Sequence, residues 1–156
     1  IAFEVKPPAN PSGWPIHCYG MVGVGRDNGP ETGNGSELYV VIGQAPRRLD
    51  RNLAIAGRVL EGMPLLAGLP RGEGEMGFYA KPSQRTPIES VRLASELPAS
   101  QRPKIQVLRT DSATFAALLD AQRHRHDAFY KVSSGKVGLC SVDVPVRQQV
   151  PPPATR

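Results

Sequence analysis

Between Gly29 and Gly43 the chain reads Gly-Pro-Glu-Thr-Gly-Asn-Gly-Ser-Glu-Leu-Tyr-Val-Val-Ile-Gly, a polar, glycine-rich loop that runs directly into an apolar stretch. Glycines at 29, 33 and 35 permit positive φ and close approach of main chain. Leu38 to Ile42 then form a short β-prone apolar run, with aromatic or β-branched side chains at 39–42, as a buried strand requires. A polar loop is thereby fixed to a strand. No other stretch restricts the fold as much, because it demands a sheet to receive Leu38–Ile42 and an open rim for the loop.

The remainder agrees with a β-rich domain. The 156 residues suffice for one sizeable core. Sixteen glycines and sixteen prolines are more than an average chain carries, and they punctuate short apolar runs as turns do between strands. No window of apolar residues is long enough to span a membrane. The formal net charge of +5 comes from scattered Lys and Arg residues without interleaved aromatics. It is read as a solvated basic surface; nucleic-acid binding, the weaker reading, would show steep salt dependence. The chain opens at Ile1 rather than Met, which predicts a processed product.

Taken in order, residues 1–5 alternate weakly like a strand. Prolines 7, 8, 11 and 15 keep the next segment extended, and Trp14 is expected to cap the core. Strands are expected at His17–Val24, Glu37–Ile42, Leu53–Leu60 and Ile88–Leu93. A polar turn should fill Gln44–Asn52, and a short helix Glu61–Leu69, with Pro64 in its first turn and Gly68-Leu69-Pro70 ending it. Residues 71–86 read as a long loop with Met76, Phe78 and Tyr79 packed inward. Lys104–Leu108 reads as an edge strand, followed by a helix capped at Thr110, Asp111 or Ser112 and running to about His126, with Phe115, Leu118 and Leu119 at helical spacing. Val137–Val146 alternates like a last strand, made an edge by Pro145. The Pro-rich end, 150–156, is expected to be disordered.

Most reaction chemistries find no support. Gly23-Val24-Gly25 followed by Gly29 lacks dinucleotide-loop spacing and no long helix follows it. His124 and His126, two apart on a helix, point to different faces and do not form a metal pair. Ser36 lacks the Gly-x-Ser-x-Gly elbow. Cys18 and Cys140 have no zinc-ligand spacing; they read first as two buried thiols, whereas a disulfide would imply an oxidising compartment. No cofactor or metal is expected.

Gly29, Pro30, Thr32, Asn34, Gly35 and Ser36, followed by Glu37-Leu38-Tyr39, resemble the Gly-Pro-Asn-Thr-Asn-Gly-Ser-Gln-Phe-Phe signature of cyclophilin-type peptidyl-prolyl isomerases, with one insertion near Gly33. Gly20 to Gly25 is similar to the family's strand into Met-Ala-Asn, Leu49-Asp50 to its Trp-Leu-Asp turn, and Ile55 to Met63 to its Val-Phe-Gly-x-Val-x-Glu-Gly-Met. The likeness covers Cys18 to Leu69, with a last barrel strand expected at Pro87–Leu93.

The resemblance implies a mainly β protein: the C-terminal portion of a cyclophilin-like β-barrel with short helices over 1–97, a strand-helix-strand extension over 98–149, and a tail over 150–156. It also implies isomerisation of X-Pro bonds in proline-containing polypeptides. Carried over residue by residue, Tyr39 stands at the pocket-floor phenylalanine, and Gly25 and Arg26 at the alanine and asparagine that hold the substrate backbone. Glu37 replaces the glutamine and Arg48 the tryptophan, Leu49 keeps the leucine, and Leu53 stands at the pocket histidine. The expected substrate-binding set is therefore Gly25, Arg26, Glu37, Tyr39, Arg48, Leu49 and Leu53.

Nothing here resembles the family segment that carries the catalytic arginine. No catalytic residue is therefore assigned, and the chain is expected to be part of a longer protein, with a missing N-terminal segment as partner. The alternative is a remodelled domain whose extension after Pro98 fills the gap. By resemblance to exported family members the compartment is expected to be the periplasm.

Overall fold

The computed structural model describes residues 13–29, 31, 33–44 and 47–149. The strand expected at 1–5, Pro30 and Thr32 of the glycine-rich loop, and the tail 150–156 lie outside the described residues. The chain divides into two compact units, one ending at Leu69 and the other beginning at Pro70. Residues 70–97, grouped above with the first unit, thus belong with the second.

The first unit is built on an antiparallel sheet of β1 (Met21–Val24), β2 (Leu38–Val40) and β3 (Ile55–Arg58), with β1 in the middle. Val22 lies opposite Val40, Gly23 opposite Tyr39 and Val24 opposite Leu38. On the other side Met21 faces Arg58 and Val22 faces Gly57; the register then shifts so that Gly23 faces Ile55, a bulge at Ala56. Hydrogen bonds continue past the strand ends: the Gly20 N–H donates to Val41 O, its carbonyl accepts from Val59, and the Gly25 N–H donates to Glu37 O.

His17–Gly20, expected as the start of the first strand, is instead a turn, because Gly20 at φ 81° brings the Met21 N–H back onto Cys18 O. The buried strand expected at Glu37–Ile42 is instead an edge: β2 is flanked only by β1 among the described residues, and Leu38 and Ile42 are exposed. The small core of this unit holds Val41, Met63 and His17.

Helix α1 (Met63–Ala67) starts from Gly62 at φ 87°, a left-handed turn that glycine alone adopts without strain, and carries Pro64 in its first turn. Gly68 closes it by donating to Pro64 O. Trp14, expected as a core cap, is 48 % exposed with the Arg51 guanidinium 5.1 Å from its ring centre. Stacking of a cation on an indole keeps both at the surface.

In the second unit β4 (Ile105–Val107) pairs antiparallel with β5 (Val146–Gln148). The strand expected over Val137–Val146 therefore lies further along: Gly138–Ser141 is a turn, and Pro145, with no N–H to give, offers only its carbonyl, which accepts from Leu108 before pairing begins. Helix α2 (Ala113–Arg123) is capped by Ser112, whose side chain accepts from Phe115 N, and it buries Phe115. It stops three residues before His126 because Asp127 takes the N–H groups of Phe129 and Tyr130, closing a turn that competes with helix.

Two expectations fail over 71–93. Met76 and Phe78 are 89 % and 70 % exposed, and only Tyr79 is partly covered, its hydroxyl donating to Pro70 O. Ile88–Leu93 forms no strand, and Ile88, Val91 and Leu93 are all exposed. Ile88 would fall on the opposite strand face from Val91 and Leu93, so the three do not build one apolar face, and no sheet edge accepts them among the described residues. Among the described residues there are therefore small antiparallel sheets, two α-helices and several short 3-10 turns, and no closed barrel.

Candidate functional site

The most tightly bonded place in the first unit is the fully buried side chain of His17. Its Nδ1 lies 2.9 Å from Asp50 Oδ1 and its Nε2 lies 2.7 Å from the Tyr39 hydroxyl. Asp50 Oδ1 also accepts from the His17 main-chain N–H at 2.9 Å. Arg47 closes the cluster: one guanidinium nitrogen is 3.3 Å from Asp50 Oδ2 and another donates to the His17 carbonyl at 2.7 Å. The imidazole and phenol rings are nearly parallel, with centroids 6.0 Å apart. The turn Arg47–Leu49 delivers Arg47 and Asp50, and β2 delivers Tyr39. Gly23, opposite Tyr39 on β1, has no Cβ, and the space a Cβ would fill is taken by the Tyr39 ring.

The Asp50 carboxyl is held below the usual carboxylate range, chiefly by the His17 main-chain N–H; partial burial pulls the other way, and the His17 ring and Arg47 add to the lowering. Burial pushes the Tyr39 phenol upward. Asp50 ionises more readily folded than unfolded, so its contribution to stability is complete above the unfolded carboxyl value of about 4 and is lost as pH falls through the lowered folded value. Asp50→Asn is expected to flatten the acid-side fall in stability and to be less stable than the parent at neutral pH. Urea midpoints collected from acid to neutral pH measure both effects.

The expected substrate-binding residues separate into two places. Gly25, Arg26 and Glu37 line a concavity of about 300 Å³ together with Asp27, Glu31, Gly33, Asn34 and Ser36. Arg26 is committed within it: Nε donates to Asn52 O at 3.1 Å, and one guanidinium nitrogen donates to Asp27 O and Gly29 O. Its side chain is a tie between the loop and the Asn52 turn. Gly33, at φ 85°, faces the Gly25 carbonyl so closely that a side chain has no room, which explains a glycine there.

Tyr39 does not line this concavity. It sits with His17, as do Arg47 and Asp50. Arg48 is exposed, and its carbonyl accepts from Asn52 Nδ2; Leu49 and Leu53 are half-buried in the same turn, joined by the Leu53 N–H to Leu49 O. A second concavity, of about 610 Å³ between β4–β5 and the start of α2, contains none of the expected residues.

Sequence reasoning missed His17 as a site residue. Its one sequence signal was a lone histidine just before an apolar strand, with an aspartate in the Arg-Arg-Leu-Asp turn. Nothing along the chain pairs residues 33 positions apart.

Cys18 and Cys140 are both disulfide-bonded, which corrects the reading of two free buried thiols. Among the described residues no group of His, Cys, Asp and Glu could hold a metal ion, and no helix is long and apolar enough to cross a membrane. Comparison of the chain with protein-family models finds no match, and comparison with curated protein sequences finds none either.

Proposed function

We propose that this chain is part of a divergent cyclophilin-type peptidyl-prolyl cis-trans isomerase, acting on X-Pro bonds of proline-containing polypeptides. The observation that carries the reading is the placement of the resembling stretches: β2, which ends the glycine-rich signature, and β3, which begins Ile55–Met63, flank β1 in one antiparallel sheet. In this reading the sheet is a segment of the family's barrel.

The chemistry needs no nucleophile. Rotation about an X-Pro bond is slow because amide resonance must be broken, at a barrier of about 18–20 kcal/mol. Binding the twisted amide better than either planar form lowers that barrier. An apolar surface for the prolyl ring, with Tyr39 in this role, disfavours the more polar planar amide. A donor aimed at the prolyl nitrogen stabilises the lone pair that twisting localises there. The family's donor is an arginine, and no arginine of this chain is assigned to it. The Gly25–Glu37 concavity would hold the peptide backbone on either side of the bond. The disulfide-bonded state of Cys18 and Cys140 favours an oxidising compartment such as the periplasm.

A second reading is a non-catalytic peptide-binding or chaperone module. It is favoured by Arg48, Glu37 and Leu53, which stand where the family has tryptophan, glutamine and histidine, and by the separation of Tyr39 from the concavity. Exchange spectroscopy on a prolyl peptide discriminates the two. The isomerase reading expects cis-trans exchange cross-peaks with the protein present and a slower exchange rate in Tyr39→Ala. Shift changes along Gly25–Tyr39 without exchange would favour the binding module.

A further inference from the structure

We infer that His17, held by Asp50, is a positioning residue for Tyr39, fixing both the place of its ring and the direction of its hydroxyl. The inference rests on the isomerase reading only for its effect on rate; the geometry stands by itself.

An ionised carboxylate can only accept, so the proton between His17 and Asp50 sits on Nδ1. In the neutral imidazole Nε2 is then the acceptor, and the Tyr39 hydroxyl must donate to it. Asp50 therefore sets the histidine tautomer, and the tautomer sets the phenol. The 2.9 and 2.7 Å separations are those of well-formed bonds, and with no part of the His17 side chain exposed, water cannot replace either partner. Gly23 gives the ring its seat, and the bond to Nε2 pins the far end of the side chain, so that the phenol cannot swing about its Cα–Cβ bond. Arg47, through Asp50 and the His17 carbonyl, holds the relay in place from outside. A ring that forms one wall of a prolyl site must keep its place through the rotation of the amide, which is the property this chain of bonds supplies.

The test combines NMR of the full chain with isomerisation rates for the parent, Asp50→Asn, Tyr39→Phe and the double variant. Asp50→Asn is chosen because His17→Ala is expected to lose much of its stability. In the parent, the His17 Nδ1 proton and the Tyr39 hydroxyl proton should exchange slowly with water. The imidazole nitrogen shifts should report Nε2 as unprotonated, and the three-bond couplings of Tyr39 should report a single rotamer about Cα–Cβ. In Asp50→Asn both protons should exchange fast and the Tyr39 couplings should average over rotamers.

Asp50→Asn and Tyr39→Phe should each lower kcat/KM on the prolyl peptide by about tenfold, and the double variant should be no worse than either alone. An unchanged single Tyr39 rotamer in Asp50→Asn, or a parent His17 protonated on Nε2, would overturn the positioning role. So would additive losses of kcat/KM in the double variant. A parent with a single Tyr39 rotamer and no isomerisation would retain the positioning role and reject the isomerase reading.

Discussion

Replacing His17 by alanine is expected to destabilise the protein by about 2–4 kcal/mol, a large share of the roughly 5–15 kcal/mol that holds a typical domain folded. The imidazole is fully buried and bonded at both nitrogens. Its removal leaves a cavity, deprives the Tyr39 hydroxyl of its acceptor, and takes from the Asp50 carboxylate one of its two bonds to His17. The main-chain N–H of residue 17 and Arg47 remain with Asp50, which keeps the loss below that of an isolated buried charge. Chemical denaturation checks this: the urea midpoint should fall with little change in slope, since the same surface is exposed on unfolding. A midpoint unchanged within error would mean that water or a neighbouring side chain replaces the ring.

Gly23→Ala should produce the second large effect, about 1–3 kcal/mol, for the opposite reason. Gly23 is buried at the centre of β1, paired with Tyr39 on one side and Ile55 on the other. A Cβ there would overlap the Tyr39 ring, so either the ring leaves its seat or the strands part. The bond to His17 argues that the ring resists. The double substitution Gly23→Ala with Tyr39→Ala should recover much of the overpacking loss. Denaturation of the single and double variants measures the recovery, and a glycine replaced without cost would show that the ring is not fixed.

These two positions also show how far the fold could be read beforehand. The strand of β2 was legible because Leu38–Val41 packs β-branched and aromatic residues behind a glycine-rich loop. The end of α1 was legible because Gly68 and Pro70 are local signals, and α2 because Ser112 and Phe115 act within one turn. Signals that act at long range were not. Whether Ile88–Leu93 becomes a strand depends on an edge to pair with, which no residue within it encodes, and the same holds for the inward packing expected of Met76 and Phe78. The last strand, at Val146–Gln148, was placed too early in the chain because apolar alternation in Gly138–Val146 outweighed the missing donor of Pro145.

At the candidate site, Gly25, Arg26 and Glu37 come together because they face each other across the β1–β2 connection, a local consequence of one loop. Tyr39 was singled out by resemblance, but its partner His17 lies 22 residues away, and the Asp50 that holds His17 lies 33 residues from that histidine. Arg26, which looked like a substrate donor, spends its guanidinium on three main-chain carbonyls, a fact visible only when the loop is closed.

The rate of cis-trans isomerisation of a prolyl peptide, followed directly with the protein at its natural length and at micromolar concentration, bears on the functional account more closely than any other measurement. A rate above the uncatalysed background that falls in Tyr39→Ala is the predicted result. A background rate from folded parent protein would contradict it.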